Sequence, residues 1–389
     1  MSKINLEHEI INDEYTEYVY STFDIQDSDK TSTEIIFDLS EMNESDWNIG
    51  IILGSSGSGK SSILRSIGNI PDVKFDTNKA LISNFNFLDP KEATFALTSV
   101  GLSSVPTWLR PFHLLSNGEQ YRAKLAYLIA SSKDGEIILI DEYTSVVDRY
   151  VAKSMSFAIQ KYVRKLNKKI IIASVHYDVL EWLLPDWSVN LQNGGMSKRH
   201  DCRRQGRPKI DLQVYRTEPN TWEIFKKHHY LTSESNKGFG YLVFVWDDIP
   251  VGICVYKTFP TGNFPNGYAL SRTVVLPDFQ GMGIGKSISE FTAGIIVHNG
   301  GRLFTKTINP ALGEHRNKSP LWRGTSKNGK YRSDIDYGNS IYKRRMMKKV
   351  LSRTSYCHEY IGKPISGHDE LLLPIKIMRI QKKQKLSIF

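Results

Sequence analysis

The sequence predicts an α/β domain followed by an α+β domain. Three observations carry this. Through residues 48–190, short runs that are apolar along their whole length alternate with helical patterns. Each half places a glycine-rich turn between a strand and a helix. The formal charge changes sign between the halves: residues 1–200 hold 20 Lys and Arg against 26 Asp and Glu, and residues 201–389 hold 31 against 15. The net +10 of the 389-residue chain therefore divides into −6 and +16. Two modules with different partners, the second facing a polyanion, follow from that contrast.

The length allows large buried cores without disulfide or metal staples. With 40% hydrophobic and 24% charged residues, the chain has the balance of a globular protein, not a collagen, a disordered tail or a membrane bundle. No apolar run approaches the ~20 residues of a membrane span. The first fifteen residues are acidic and lack the apolar stretch of a signal peptide. Cys202, Cys254 and Cys357 are an odd number without close pairing, which argues for a reducing compartment and against a zinc site. A cytoplasmic location and no membrane partner are expected.

In chain order, the first 45 residues read as strands entering a compact domain. Residues 49–53, 137–140 and 170–173 read as parallel strands buried on both faces. Residues 193–209 are glycine-containing, poor in apolar residues and carry six Lys or Arg; they read as the junction. Beyond it, residues 210–215 read as a strand and 222–230 as a helix. Residues 241–246 and 251–257 read as a hairpin around Asp247, Asp248, Ile249 and Pro250. A strand over 269–276, a helix over 286–298 and a strand over 303–307 complete the pattern. The expected domains are 1–200, 201–362 and a basic extension over 363–389.

Gly54, Ser55, Ser56, Gly57, Ser58, Gly59, Lys60 and Ser61 fit GxxxxGK[ST], with Ser62 opening the helix that follows. Glycines let the backbone fold into a nest of N–H donors around phosphates. Lys60 sets a point charge on the β- and γ-phosphates of a nucleotide, and Ser61 offers a hydroxyl to Mg²⁺. The strand over 137–140 ends in Asp141 and Glu142. Asp141 stands where a carboxylate holds Mg²⁺, and Glu142 where one polarises the attacking water.

Between these motifs, Leu115, Ser116, Asn117, Gly118, Glu119 and Gln120 resemble the LSGGQ signature of ABC-type ATPases. Ser145 to Asp148 resemble that family's D-loop, and His176 its switch histidine. The resemblance implies a P-loop NTPase fold and an ATP-dependent head-to-tail homodimer. Each ATP then lies between residues 54–61 of one chain and Ser116, Asn117 and Gly118 of the other. It assigns Glu142 and His176 to catalysis. The sequence departs from the family at Asn117 and Glu119, and no glutamine stands at the expected Q-loop, where Asn84 or Asn86 substitutes. Tyr20 and Phe23 are both candidates for stacking on adenine. The helical segment before residue 115 is short, which with the missing span counts against a transporter.

In the second half, Gln280, Gly281, Met282, Gly283, Ile284 and Gly285 follow a strand and open a helix. Free amides at a helix N-terminus favour an anion. The register of Gln280, Gly283 and Gly285 gives QxxGxG, which resembles the coenzyme A loop of GCN5-related N-acetyltransferases, the GNAT superfamily. That resemblance covers about residues 208–362. It implies a GNAT fold, with acetyl-CoA held by Val274, Val275, Leu276, the loop 280–285 and Lys286. Direct attack of an amine on the thioester is the implied chemistry. The proton-transfer residues stay open. His228 and His315 are candidates, and for each histidine a packing role is the alternative; residues 309–316 hold no tyrosine.

Trp322, Arg323, Lys327, Lys330, Tyr331, Arg332, Tyr337 and Tyr342 interleave rings and charges, and residues 341–353 read as an amphipathic helix with a basic face. Phosphates pair with such a face and bases stack on such rings. Nucleic acid is the expected partner. His228 to Leu231, Ser271 and Arg272, Asn309 and Pro310, and Ser319 to Trp322 carry a weaker resemblance to GNAT domains of phages and mobile elements, among them the Mom type that modifies DNA bases. Two readings stay open: ATP-regulated acylation of an amino group on or near nucleic acid, and an ATP-dependent nucleic-acid clamp whose GNAT fold does not transfer.

Overall fold

The structure is a computed structural model that describes residues 1–23, 30–44, 46–200, 210–229, 240–259, 266–331, 354–372 and 384–388. The chain forms two compact units. The first comprises residues 1–79, 83–89 and 111–206, and the second comprises 80–82, 90–110 and 207–389.

The first unit opens with β1 (Ser2–Glu9), α1 (Glu14–Phe23) and β2 (Lys30–Phe37), where β1 and β2 pair antiparallel. Strands were expected here; the helix between them was not, because its face buries nothing and leaves no apolar period tied to a core. Next come β3 (Ile49–Leu53) and α2 (Lys60–Ile67). After α3 (Pro90–Ser99) and α4 (Val105–Trp108), which belong to the second unit, follow α5 (Asn117–Ser131), β4 (Ile137–Ile140) and α6 (Arg149–Lys165). The unit closes with β5 (Lys169–Ser174), α7 (Val179–Leu183), β6 (Trp187–Asn190) and β7 (Ser197–Arg199).

Its sheet runs β4-β5-β3-β6-β7, parallel except for β7. β3 is buried at every residue, as its unbroken apolar text requires. Gly50 is dictated by packing: a Cβ there falls 2.1 Å from the Trp187 ring. The carboxyl ends of β3, β4 and β5 lie side by side, where an open parallel sheet presents its ligand crevice.

The second unit builds a mixed sheet from β8 (Ile210–Thr217), β9 (Gly240–Trp246), β10 (Ile249–Thr258), β11 (Gly267–Val275), β12 (Arg302–Thr307), β13 (Trp322–Gly324), β14 (Lys330–Tyr331), β15 (Thr354–Tyr360) and β16 (Gln384–Ile388). The order is β13-β15-β12-β11-β10-β9-β8-β16, with β14 beside β15. Its helices are α8 (Trp222–Phe225), α9 (Ile284–His298) and α10 (Pro310–Lys318). The hairpin turns on Asp247 and Asp248 alone, both with positive φ, and Pro250 is absorbed at a bulge in β10. The helix expected over 222–230 is one α turn, α8, followed by a 3-10 turn to His228. The stretch expected as a separate extension from 363 returns to this sheet, because β16 pairs antiparallel with β8. The basic helix expected over 341–353, with Arg332, Tyr337 and Tyr342, lies outside the described residues, as does most of the basic junction.

Candidate functional sites

The turn between β3 and α2 has Gly57 and Gly59 at φ +77° and +86°, the left-handed region where glycine carries no Cβ penalty. A Cβ added at Gly57 would meet nothing within 4 Å. At Gly59 a Cβ would strike Ile35 of β2 at 2.1 Å, which ties the N-terminal hairpin to this loop. Lys60 is buried, and its Nζ donates to the carbonyls of Gly54 at 2.9 Å and Ser55 at 2.6 Å. Burial lowers the pKa of Lys60, and the charges of Asp141 and Glu142 pull it back up. The ends of β3 and β4 thus meet electrostatically. Ser58 Oγ is buried and has no protein partner. An ammonium, an orphan hydroxyl and two left-handed glycines fit the triphosphate of ATP.

After β4, Asp141 Oδ1 accepts the Glu142 amide at 2.9 Å. Glu142 and Thr144 have φ of 48° and 69°, strained for residues with a Cβ. The turn is held by the Tyr143 amide on the Ala173 carbonyl and by Ser145 Oγ on the Glu142 carbonyl, both at 2.8 Å. Glu142 stays exposed at its tip. The His176 amide donates to Ser174 Oγ at the end of β5. Burial lowers the pKa of His176, and the charge of Arg149 adds to that.

Arg149 was not singled out from the sequence. It pairs with Asp178, lies 4.8 Å over the Trp182 ring and reaches Thr144 Oγ1. It joins the start of α6 to the Glu142 turn and the His176 loop. Its signal is only positional, directly after Asp148. Asp148 Oδ1 caps α6 by accepting the amides of Tyr150 and Val151. Ser116 caps α5, with Asn117 and Gly118 in its first turn. At Gly118 a Cβ would meet Val151 at only ordinary contact distance, 3.5 Å, so packing within the chain does not demand glycine there.

In the second unit, β11 pairs with β12 only from Gly267 to Leu270. On its other side the register against β10 steps from Leu270 to Arg272, leaving Ser271 as a bulge. The bulge sits where β11 and β12 part, so residues 271–275 line an opening in the sheet. Val274 is buried with Trp222, Phe225, Tyr241, Ile253 and Val255. The Val275 side chain stands 3.4 Å from where a Cβ of Gly285 would lie, which fixes the close approach of β11 to α9. Leu276 precedes a 3-10 turn, and its amide donates to the Val251 carbonyl. Gly281 and Gly283 both have φ +89°, while Met282 and Ile284 anchor inward. The first helical bonds of α9 come from Lys286 and Ser287 to the Gly283 carbonyl. The amides before them face a helix N-terminus with nothing crowding Gly283. This cradle fits a pyrophosphate.

The candidate proton carriers separate. His228 is half-buried at the end of its 3-10 turn, and its neighbour His229 packs edge-on to Trp222 at 5.6 Å. His315 on α10 has a buried Nε2 without a partner. Burial lowers the pKa of His315, and Lys286 at the head of α9 adds to that. His315 therefore lies within electrostatic reach of Lys286 and Glu290 on α9. Tyr356 of β15 was missed. Its ring fills the space that Gly313 leaves open, and its hydroxyl donates to Glu314 Oε1 at 3.0 Å. His358 is wholly buried, with Nε2 2.8 Å from Asn317 Oδ1. Glu359 is held by Arg302 and Arg323. Both are framework residues.

Comparison with known proteins finds relatives of two kinds. A model of the acetyltransferase (GNAT) family matches residues 179–308. A ribosome protection protein, VmlR of Bacillus subtilis, is 31% identical over 154 residues, 37% of this chain and 26% of that protein. The energy-coupling factor transporter ATP-binding protein EcfA1 of Leuconostoc mesenteroides is 29% identical over 105 residues, 27% of this chain and 37% of that protein. The chain thus spans about a quarter and about a third of the lengths of these curated relatives. Among solved structures, cbiO1 of Clostridium perfringens, part of an ABC transporter complex, is 17% identical with a TM-score of 0.32, covering 42% of this chain and 84% of that one. The ATP-binding cassette MJ0796 bound to ADP and Pi is 16% identical with a TM-score of 0.32, covering 44% and 89%. Among the described residues no helix is long and apolar enough to cross a membrane.

Proposed function

We propose that this chain, which joins an ABC-type ATPase part to a domain of the acetyltransferase (GNAT) family, is an ATP-governed N-acyltransferase whose acceptor is an amino group on or near nucleic acid. The supporting observation is the pair of glycine turns, 54–61 and 280–285, each between the end of a strand and a helix N-terminus.

ATP supplies the nucleotide switch and acetyl-CoA the activated acyl group. Lys60 leaves the carbonyls of Gly54 and Ser55 to meet the β- and γ-phosphates. Ser61 and Asp141 hold Mg²⁺, Glu142 orients water, and His176 contacts the γ-phosphate. Ser116, Asn117 and Gly118 meet the nucleotide of a second copy, and the freedom at Gly118 suits that approach. In the second unit, residues 274–276 line the opening beside β12, where the Val275 amide, turned away from β10 by the alternation of the strand, binds and polarises, and the amides of 281–285 with Lys286 hold the pyrophosphate. His315 is neutral near pH 7 because burial and Lys286 disfavour its charge. It suits accepting the proton of the attacking ammonium. Tyr356, whose hydroxyl meets Glu314 of α10, suits the complementary role of giving a proton to the leaving thiolate.

The nucleic-acid part of the reading rests on the +16 charge of residues 201–389. The Bacillus subtilis relative, named a ribosome protection protein, favours an RNA-containing partner over a membrane one. That name also supports the second reading, an ATP-dependent binding machine in which the GNAT fold recognises and does not transfer. Thiol release separates the two. Purified protein is incubated with acetyl-CoA, Mg-ATP and total RNA, DNA or ribosomes, and products are read by mass spectrometry. An acetyl mass shift on RNA or ribosomal protein is expected. Shift on a DNA base moves the reading to the Mom type. No free thiol with any acceptor leaves the binding machine.

A further inference from the structure

The second compact unit contains a stretch of chain that sequence order places inside the ATPase part. Residues 80–82 and 90–110 fall between the phosphate loop and the signature, yet they cluster with residues 207–389. The stretch is well built. Ala93, Ala96, Leu97, Val100 and Leu102 are buried. The Leu81 amide donates to the Arg110 carbonyl at 2.8 Å, joining its two pieces. Trp108 Nε1 donates to the Leu102 carbonyl at 2.7 Å, and the Thr107 amide to the Ser104 carbonyl. Between these contacts, the Ser103 amide donates to Gln280 Oε1 at 2.8 Å.

Gln280 is the first residue of the coenzyme loop. Its side-chain amide is used at both ends: Oε1 accepts from Ser103, and Nε2 donates to the carbonyl of Val275, the last residue of β11, at 2.8 Å. Gly281 and Gly283, which shape the pyrophosphate cradle, follow at once. One planar group therefore fixes the distance between the end of β11, the loop and residue 103. On the other side of Ser103, α4 and one 3-10 turn, Phe112–Leu114, lead to Ser116 at the head of α5.

We propose that Ser103 is a positioning residue of the coenzyme loop and that its amide couples nucleotide state to acyl-CoA affinity. The inference rests on the proposed function, since it takes loop 280–285 as the coenzyme site and Ser116 as a nucleotide contact. A movement of the signature on ATP binding pulls or seats the 103 amide, and Gln280 passes the change to both edges of the cradle. Linkage makes the effect reciprocal: coenzyme binding must alter nucleotide affinity by the same factor.

The test uses the full chain and desulfo-CoA as probe. Its affinity is measured by calorimetry without nucleotide and with a saturating non-hydrolysable ATP analogue and Mg²⁺. A change of about fivefold or more is expected. Ser103→Pro removes the donor and should reduce the change to less than about twofold, whereas Ser103→Ala keeps the backbone N–H and the full change. Hydrogen exchange on the unmodified chain reads the same contact without a variant: desulfo-CoA should slow exchange in peptides covering 100–110. Desulfo-CoA that binds with unchanged affinity in either nucleotide state overturns the coupling alone. Binding that leaves exchange at 100–110 untouched overturns the role of Ser103. Absence of any binding overturns the coenzyme-site reading and the inference with it.

Discussion

Ser116 and Glu119 cap one another at the head of α5. Ser116 Oγ accepts the Glu119 amide at 3.3 Å, and Glu119 Oε2 accepts the Ser116 amide at 3.0 Å. This capping box gives a local reason for glutamate at the place where the signature departs from the family. Glu119 is buried, so water does not readily replace its carboxylate. Glu119→Ala should destabilise the chain by about 1 kcal/mol, and Glu119→Gln, which keeps an acceptor, by less. Thermal unfolding of the three proteins measures this, and equal midpoints would dismiss the cap as a source of stability.

The two strand-turn-helix units were legible because their text is local. Unbroken apolar runs mark β3, β4 and β5, and the glycines at 57, 59, 281 and 283 all take the left-handed backbone that their spacing implies. What escaped is what depends on contacts distant in sequence. Arg149 meets Asp178 only because α6 and α7 pack together. Tyr356 reaches Glu314 only through the pairing of β15 with β12. The assignment of 90–110 to the second unit has no trace in composition, since the buried alanines and leucines of α3 read alike whichever core receives them.

Lys60 should be indispensable for nucleotide binding. Its two carbonyl contacts hold the ammonium at the mouth of the loop, where phosphates would compete for it. Lys60→Ala should cost about 2 kcal/mol or more of ATP affinity, roughly 30-fold. Titration with a fluorescent ATP analogue reads the loss, and unchanged affinity would remove residues 54–61 from the nucleotide site.

Glu142→Gln should trap an ATP-bound dimer. The turn at residues 142–144 is strained and held by backbone contacts, so the amide takes the carboxylate's place with the same fold. A glutamine binds water without accepting its proton. Light scattering with millimolar Mg-ATP should give twice the mass found with ADP. A variant that stays monomeric with ATP would count against the head-to-tail sandwich.

Binding of RNA should weaken steeply with salt. If the +16 half neutralises about six phosphates, affinity falls roughly 10³-fold between about 50 and 200 mM salt. Filter binding across that range measures the slope. A flat profile would take the polyanion out of the account.

His315 should confer an acid limb on acyl transfer. Burial holds its pKa below the ordinary histidine value, the Lys286 charge lowers it further, and Glu290 opposes them. In the unfolded chain the ring protonates near pH 6.5, about the ordinary value. The folded state resists that proton, so the stability His315 contributes is complete above about pH 6.5 and is lost as pH falls through the folded value. Activity follows the same proton, because only the neutral ring accepts one from the attacking ammonium. The rate at saturating acetyl-CoA should be level above about pH 7 and fall below it with a one-proton slope. His315→Gln should lower the plateau by about 10²-fold or more and flatten the acid limb. His176, His200 and His358 also have lowered values, so the comparison is between variant and parent at each pH. A His315→Gln protein with the parent's plateau and limb would take His315 out of the proton transfer.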